Sequence, residues 1–252
     1  MLEYWYAFPY AIFVSTFAMV TGGEGAILFV PFFILLGIDP KAAIGTAFIT
    51  QLFGKSSGTI GYLREGGIQW NLTKMLVLVG IPFVVLGSWL TYAIKSAMLE
   101  FAFGAMTIIL ALIMFWSLRE KGKWSRQVRT KELLPWLWVP AIASFLTGVF
   151  AVGVGTINMV LLERVLRLNM HKAVATVVAT MAFTAIAGAL VHISLGGVRW
   201  DVAVYTICGV LIGGQIGPWL AQRMKAEWIK VLFAVLTVFV GLVMCWRALT
   251  FY

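Results

Sequence analysis

Apolar residues run through this chain in eight long stretches, 5–36, 42–63, 71–94, 98–118, 133–166, 173–195, 201–222 and 228–248, separated by short polar turns. A helix needs about 20 residues to cross the hydrocarbon layer, so the pattern predicts membrane helices rather than strands. The first stretch in each group of four is unlike the rest. It is over 30 residues long and is interrupted, by TGGEG at 21–25 and by AVGVG at 151–155, and glycine breaks a helix cheaply.

The two groups are copies of one another. Residues i and i+130 align without a gap from Gly23/Gly153 to Trp116/Trp246, with 22 identities in 94 positions. The matches include Gly25/Gly155, Thr46/Thr176, Thr50/Thr180, Gly58/Gly188, GGIQW at 66–70 against GGVRW at 196–200, and Gly87/Gly217. A repeat of this length makes each half one structural unit.

Counting lysine and arginine, which stay in short cytoplasmic loops, separates two topologies. If every stretch crosses once, the two faces hold 10 and 8 basic residues. If the first stretch of each half is a hairpin returning to its starting side, each half crosses three times and the second is inverted. The tally then becomes 14 against 4, with only Lys41, Lys95, Arg199 and Arg247 on the minor face. The returning arm, Ala26–Leu36, is 11 residues, too short to span at about 1.5 Å per residue. The expected fold is therefore an all-α integral membrane protein of two inverted repeats. Each repeat has about four helical segments, the first a broken, re-entrant helical hairpin. Residues 1–118 form the first repeat, 119–132 a basic cytoplasmic linker and 133–252 the second repeat, with both termini outside the cytoplasm.

Composition agrees. The chain has 252 residues, 62% apolar and 12% charged, with mean hydropathy +0.96, which excludes a free soluble globule. The net charge of +9 reports orientation in such a chain, so no nucleic-acid partner is expected. Cys208 and Cys245 lie in apolar runs without metal-ligand spacing and read as small core residues. GKSSG at 54–58 resembles both the end of a phosphate-binding loop and an esterase elbow. Position 49 is Ile49 rather than the glycine the first needs, and an apolar run is the wrong place for the second. His171 and His192 have no carboxylate spacing for a metal pair. No enzyme, cofactor or metal is expected.

Irregular backbone inside a membrane is tolerated where it lines a cavity, so the two breaks mark the candidate site. Half-helices opening after Gly25 and Gly155, with Gly23 and Gly153 in the same breaks as further candidate site residues, would aim backbone N–H groups at the centre, which suits an anion. Thr46 with Thr50 and Thr176 with Thr180 stand at i, i+4, and their hydroxyls either donate to an oxyanion or bond back to their own helices. Asn158 is a further donor. Lys55, an intramembrane cation whose repeat partner is Ala185, has Glu24 as its natural partner. The pair is either structural, or Lys55 binds the anion while Glu24 releases it or carries a proton. Trp70 and Trp200 read as interfacial anchors. His192 reads as a packing or interface residue, and Glu163, Arg164 and Arg167 as a solvated cytoplasmic edge.

GGEGAILFVPFFILLG at 22–37, AAIGTAF at 42–48, YLREGGIQW at 62–70 and LGGVRW at 195–200 together resemble the sulfite exporter TauE/SafE family of bacterial membrane proteins. The likeness covers nearly the whole chain. It implies two related halves in the bacterial inner membrane that move sulfur-containing oxyanions such as sulfite, sulfoacetate and other organosulfonates. The chain departs from the family's all-glycine break at Glu24, Val152 and Val154. The expected function is a secondary transporter for a small sulfur-containing anion, working by alternating access. An anion channel or uncoupled facilitator is the alternative, and a membrane scaffold or partner subunit the third class. A coupling proton or cation and a homodimer fit the same reading, with the lipid bilayer as the surrounding partner.

Overall fold

The computed structural model describes residues 4–22, 24–118, 130–223 and 226–251. Gly23 and most of the basic linker, 119–129, lie outside the described residues. In a membrane every backbone group must be satisfied within its own segment, which makes helices the available solution. The helices are α1 (Ala7–Thr21), α2 (Ala26–Leu35), α3 (Pro40–Arg64), α4 (Trp70–Ala93), α5 (Ser96–Leu118), α6 (Trp138–Phe150), α7 (Val154–Val160), α8 (Met170–Ser194), α9 (Trp200–Arg223) and α10 (Ala226–Phe251). A 3-10 turn, Thr130–Trp136, precedes α6, and a π turn, Leu161–Val165, prolongs α7. Among the described residues α4, α5, α8, α9 and α10 are long and apolar enough to cross a membrane. The chain is an all-α integral membrane protein.

Each interrupted stretch is a hairpin of two short helices. Gly22, at φ 65°, ends α1 in the left-handed conformation that glycine adopts without strain. Then α2 folds back along α1: Tyr10 donates its hydroxyl to the Leu28 carbonyl at 2.9 Å and stacks on Phe32. In the second half Ala151 takes the same left-handed role at φ 61°. The Thr147 hydroxyl then accepts from the Val154 N–H at 2.7 Å, capping α7.

The halves correspond in detail at the offset of 130. Asp39 caps α3 through the Lys41 N–H, and Asn169 caps α8 through the His171 N–H, each at 3.0 Å. The helix α1 lies on α9, and its counterpart α6 lies on α4. Both crossings are made close by glycine, as membrane helices require when no water drives them together. Gly209, Gly213 and Gly217 meet the α1 backbone, and Gly87 meets Gly148. The counterparts α3 and α8 pack on each other and run antiparallel. Gly45, near the start of α3, lies against Gly197, past the end of α8; Gly67, past the end of α3, lies against Ala175, near the start of α8. Likewise α5 crosses α10 antiparallel, with Gly104 beside Cys245 and Ile108 beside Gly241.

The cysteines depart from expectation. Cys208 is exposed on the outer side of α9 rather than in the core, and Cys245 is half-buried with its thiol facing the Phe101 carbonyl. A surface bathed in lipid accepts apolar side chains as readily as an interior does, so hydrophobic patterning cannot tell the two apart.

Candidate functional site

The two breaks meet at Glu24. This residue follows the left-handed turn at Gly22 and is fully buried. Its carboxylate crosses to the other half, where one oxygen accepts from the Gly153 N–H and the other from the Gly155 N–H. These N–H groups open α7, where unpaired donors and the helix dipole favour negative charge. The anion that fills this place is therefore the protein's own side chain.

Glycine is required at both positions, for different reasons. Gly153 has φ 141°, a conformation that side chains rarely adopt. At Gly155 an added Cβ would stand 2.6 Å from the Glu24 Cγ, so a larger residue would push the carboxylate away.

Lys55, in the second half of α3, is 2% exposed and interacts electrostatically with Glu24. One turn earlier, Gln51 donates its amide to the Ala151 carbonyl at 3.0 Å, a second bond from the first half to the second break. Gly25, Thr50, Gln51 and Lys55 share a small cleft with Ser15 and Met19. Beyond Glu24, on α7, lie two further polar groups. The Asn158 amide is fully buried, and among the described residues neither its nitrogen nor its oxygen has a hydrogen-bond partner; the Thr156 hydroxyl is likewise buried without one among them.

The predicted residues thus divide into two sets. Glu24, Lys55, Gly25, Gly153, Gly155 and Asn158 belong to the elements that meet at the breaks. The threonine hydroxyls are bonded elsewhere, although Thr50 also lines the Lys55 cleft. Thr46 donates to the Ala42 carbonyl and accepts from the Arg199 N–H at 3.0 Å. Its counterpart Thr176 donates to Lys172 and accepts from the Gln69 N–H at 3.1 Å. These two fasten the glycine turns at opposite ends of the molecule. Thr180 donates to the Thr176 carbonyl, and Thr50 is shared between the Thr46 carbonyl and the Thr206 hydroxyl. A hydroxyl has one proton to give, and here the helix carbonyls take it.

Sequence reasoning missed Gln51 and Thr147. The signal for Gln51 was present, because it stands four residues before Lys55 in an apolar run. His192 is a packing residue as expected: it is buried, stacks on Phe48 and bonds Tyr92 through Nδ1 at 2.8 Å. Trp70 and Trp200 open α4 and α9 with exposed rings. GKSSG lies within the continuous helix α3, so it forms neither a phosphate loop nor an elbow. No group of three metal-ligating side chains gathers among the described residues. On the rim, a hydrogen bond from Arg199 to the Asp201 carboxylate, at 3.0 Å, pushes the guanidinium further above its ordinary range.

The family model described as sulfite exporter TauE/SafE matches residues 7–244. A probable membrane transporter protein, ORF9, from Sinorhizobium is 26% identical over 230 residues, covering 90% of this chain and 87% of that one. The probable membrane transporter protein YjnA of Bacillus subtilis is 23% identical over 243 residues, 92% and 95% of the two chains. The archaeal relative MJ0441 of Methanocaldococcus jannaschii, also a probable membrane transporter, is 22% identical over 216 residues, 81% and 79%. No solved structure gives a significant match.

Proposed function

The chain belongs to the sulfite exporter TauE/SafE family and is a multi-pass membrane transporter of it, and from that premise we propose that it is a secondary transporter for a small sulfur-containing anion. It binds sulfite or an organosulfonate between its two halves and exposes it alternately to the two sides of a bacterial inner membrane.

The observation that carries this reading is the Asn158 amide, fully buried on α7 one turn after Gly155 and unpartnered among the described residues. An orphaned buried polar group costs about 1–3 kcal/mol, so a native protein that keeps one calls for a reason. Here the reason is a substrate oxygen. The arriving anion replaces the Glu24 carboxylate on the Gly153 and Gly155 N–H groups, and Asn158 and Thr156 complete its hydrogen bonds. The released Glu24 turns to Lys55 or takes a proton. Displacing Glu24 removes its bonds from the first half to the second break, while that of Gln51 remains. Glu24 is in this account a tethered stand-in for the substrate.

The two halves are inverted repeats in the same proposal. A rotation that exchanges two antiparallel helices has its axis across them, and the counterpart pairs α3/α8 and α5/α10 are antiparallel. With all eight stretches crossing once, α3 and α8 would run parallel. The face bearing Arg64, Lys74, Arg167, Lys172 and Arg223 is then cytoplasmic by its basic excess, and both termini lie outside.

Thermal stability of the purified protein with and without added sulfite or one organosulfonate tests the reading. A ligand at a hundred times its dissociation constant stabilises by about 2.7 kcal/mol, so the melting temperature should climb with anion concentration. No shift with any sulfur oxyanion would remove the substrate class.

A further inference from the structure

On the face assigned above to the cytoplasm, an open cleft separates the end of α3 from α9. Its floor is formed where Gly61 meets the Pro218 ring, and Gln215 is pinned there by bonds from its amide nitrogen to the Ser57 carbonyl and hydroxyl, at 2.7 and 2.9 Å. One wall carries Arg64 and Glu65 and the other Ile216 and Trp219. The Arg223 guanidinium is not itself part of the lining but lies 4.1 Å over the ring of Trp219, which is, so it stands beside the cleft that Arg64 and Glu65 line. None of these groups belongs to the transport site at the breaks.

We propose that this cleft seats the phosphodiester head group of an anionic phospholipid. The forked guanidinium donors of Arg64 and Arg223 match phosphate oxygens. Trp219 marks the depth of the head groups, where indole rings concentrate, and Ile216 lines the route of an acyl chain. Among the described residues, Arg64 and Arg223 against Glu65 leave one positive charge, which complements a singly charged anionic lipid and not a neutral zwitterionic one. The repeat supplies an internal control. The offset of 130 carries Gly61, Arg64, Glu65, Trp219 and Arg223 onto Val191, Ser194, Leu195, Trp89 and Ala93 on the opposite face. The tryptophan survives and both arginines are lost. The chemistry is built only on the leaflet that the basic excess assigns to the cytoplasm, where anionic lipids attract basic pockets between helices.

Native mass spectrometry of the full chain released from micelles, with phosphatidylglycerol or phosphatidylcholine added, tests this directly. The wild type should retain phosphatidylglycerol over phosphatidylcholine. Arg64→Gln with Arg223→Gln should weaken that retention by at least about tenfold, as loss of charged hydrogen bonds implies, whereas Arg199→Gln on the opposite face should leave it intact. Equal retention by the double variant overturns the proposal, and so does displacement of the lipid by millimolar inorganic phosphate. The assignment rests on the orientation proposed above, yet lipid retention in micelles is blind to orientation. A cytoplasmic tag position would therefore fail the topology alone, and unselective lipid retention would fail the cleft alone.

Discussion

Glu24 of the first half accepts the backbone N–H of Gly155 in the second half, with its carboxylate seated on the opening of α7. An added Cβ at Gly155 would meet the Glu24 Cγ at 2.6 Å, whereas one at Gly25 would meet nothing nearer than the Phe29 ring, at 3.2 Å. Gly155→Ala should therefore destabilise by about 1–3 kcal/mol, the usual cost of overpacking, and Gly25→Ala by less. Melting of the two purified variants checks this, and equal melting temperatures would contradict it.

Thr46 and Thr176 hold equivalent turns, through Arg199 and Gln69. Thr46→Val and Thr176→Val should each cost about 1 kcal/mol, the net worth of a hydrogen bond. The two sites share no partner, so the double variant should show the sum. Their effect should fall on stability and leave the KM for the anion unchanged. A rise in KM with unchanged melting would return these hydroxyls to the substrate.

Single cysteines read the topology by labelling with a membrane-impermeant thiol reagent in a Cys208→Ser, Cys245→Ser background. Positions 64 and 167 should label from the cytoplasm, positions 41 and 199 from outside, and a tag after Tyr252 should be reached from outside. Labelling of 64 and 199 from the same side would contradict the inverted arrangement.

In the proposed cycle the carboxylate leaving the α7 opening carries either a proton or the charge of Lys55. Acidification should speed anion uptake by the wild type, because a neutral Glu24 no longer competes for the Gly153 and Gly155 N–H groups. Glu24→Gln fixes the neutral form, so its uptake should lose that dependence. A parallel pH profile in wild type and Glu24→Gln would remove the proton role.

Much of this architecture was legible in the chain because its signals are local. The clustered glycines of 22–25 and 153–155 mark where one helix ends and the next opens, Asp39 and Asn169 cap their helices two residues on, and the offset of 130 carries one half onto the other. The Glu24 to Lys55 pairing was legible because two charges in an apolar chain must meet or be functional. What no local signal held was the partner of Glu24. Its seat on the second break depends on how α1, α2 and α7 come together across 131 residues of sequence. The threonines carry the opposite lesson. Their spacing placed each pair on one helix face, but spacing says nothing of whether a hydroxyl spends its proton on a helix carbonyl. The exposure of Cys208 was hidden because a lipid-facing side chain and a buried one obey the same pattern.

Asn158 offers the most direct test of the central claim. Its repeat counterpart is Leu28, so Asn158→Leu places an apolar side chain of similar size where an unpartnered amide now lies. Removing an orphaned polar group should stabilise the fold, by up to about 1–3 kcal/mol, while depriving the anion of a donor. The measurement is uptake of labelled sulfite and of one organosulfonate into proteoliposomes, alongside melting of the same preparations. The account predicts saturable uptake by the wild type of at least one of the two anions. It also predicts an Asn158→Leu protein that melts no lower yet has a KM for that anion raised about tenfold, as loss of one hydrogen bond from a charged ligand implies. An Asn158→Leu protein that melts lower and transports with unchanged KM, or a wild type that moves neither anion, would contradict it.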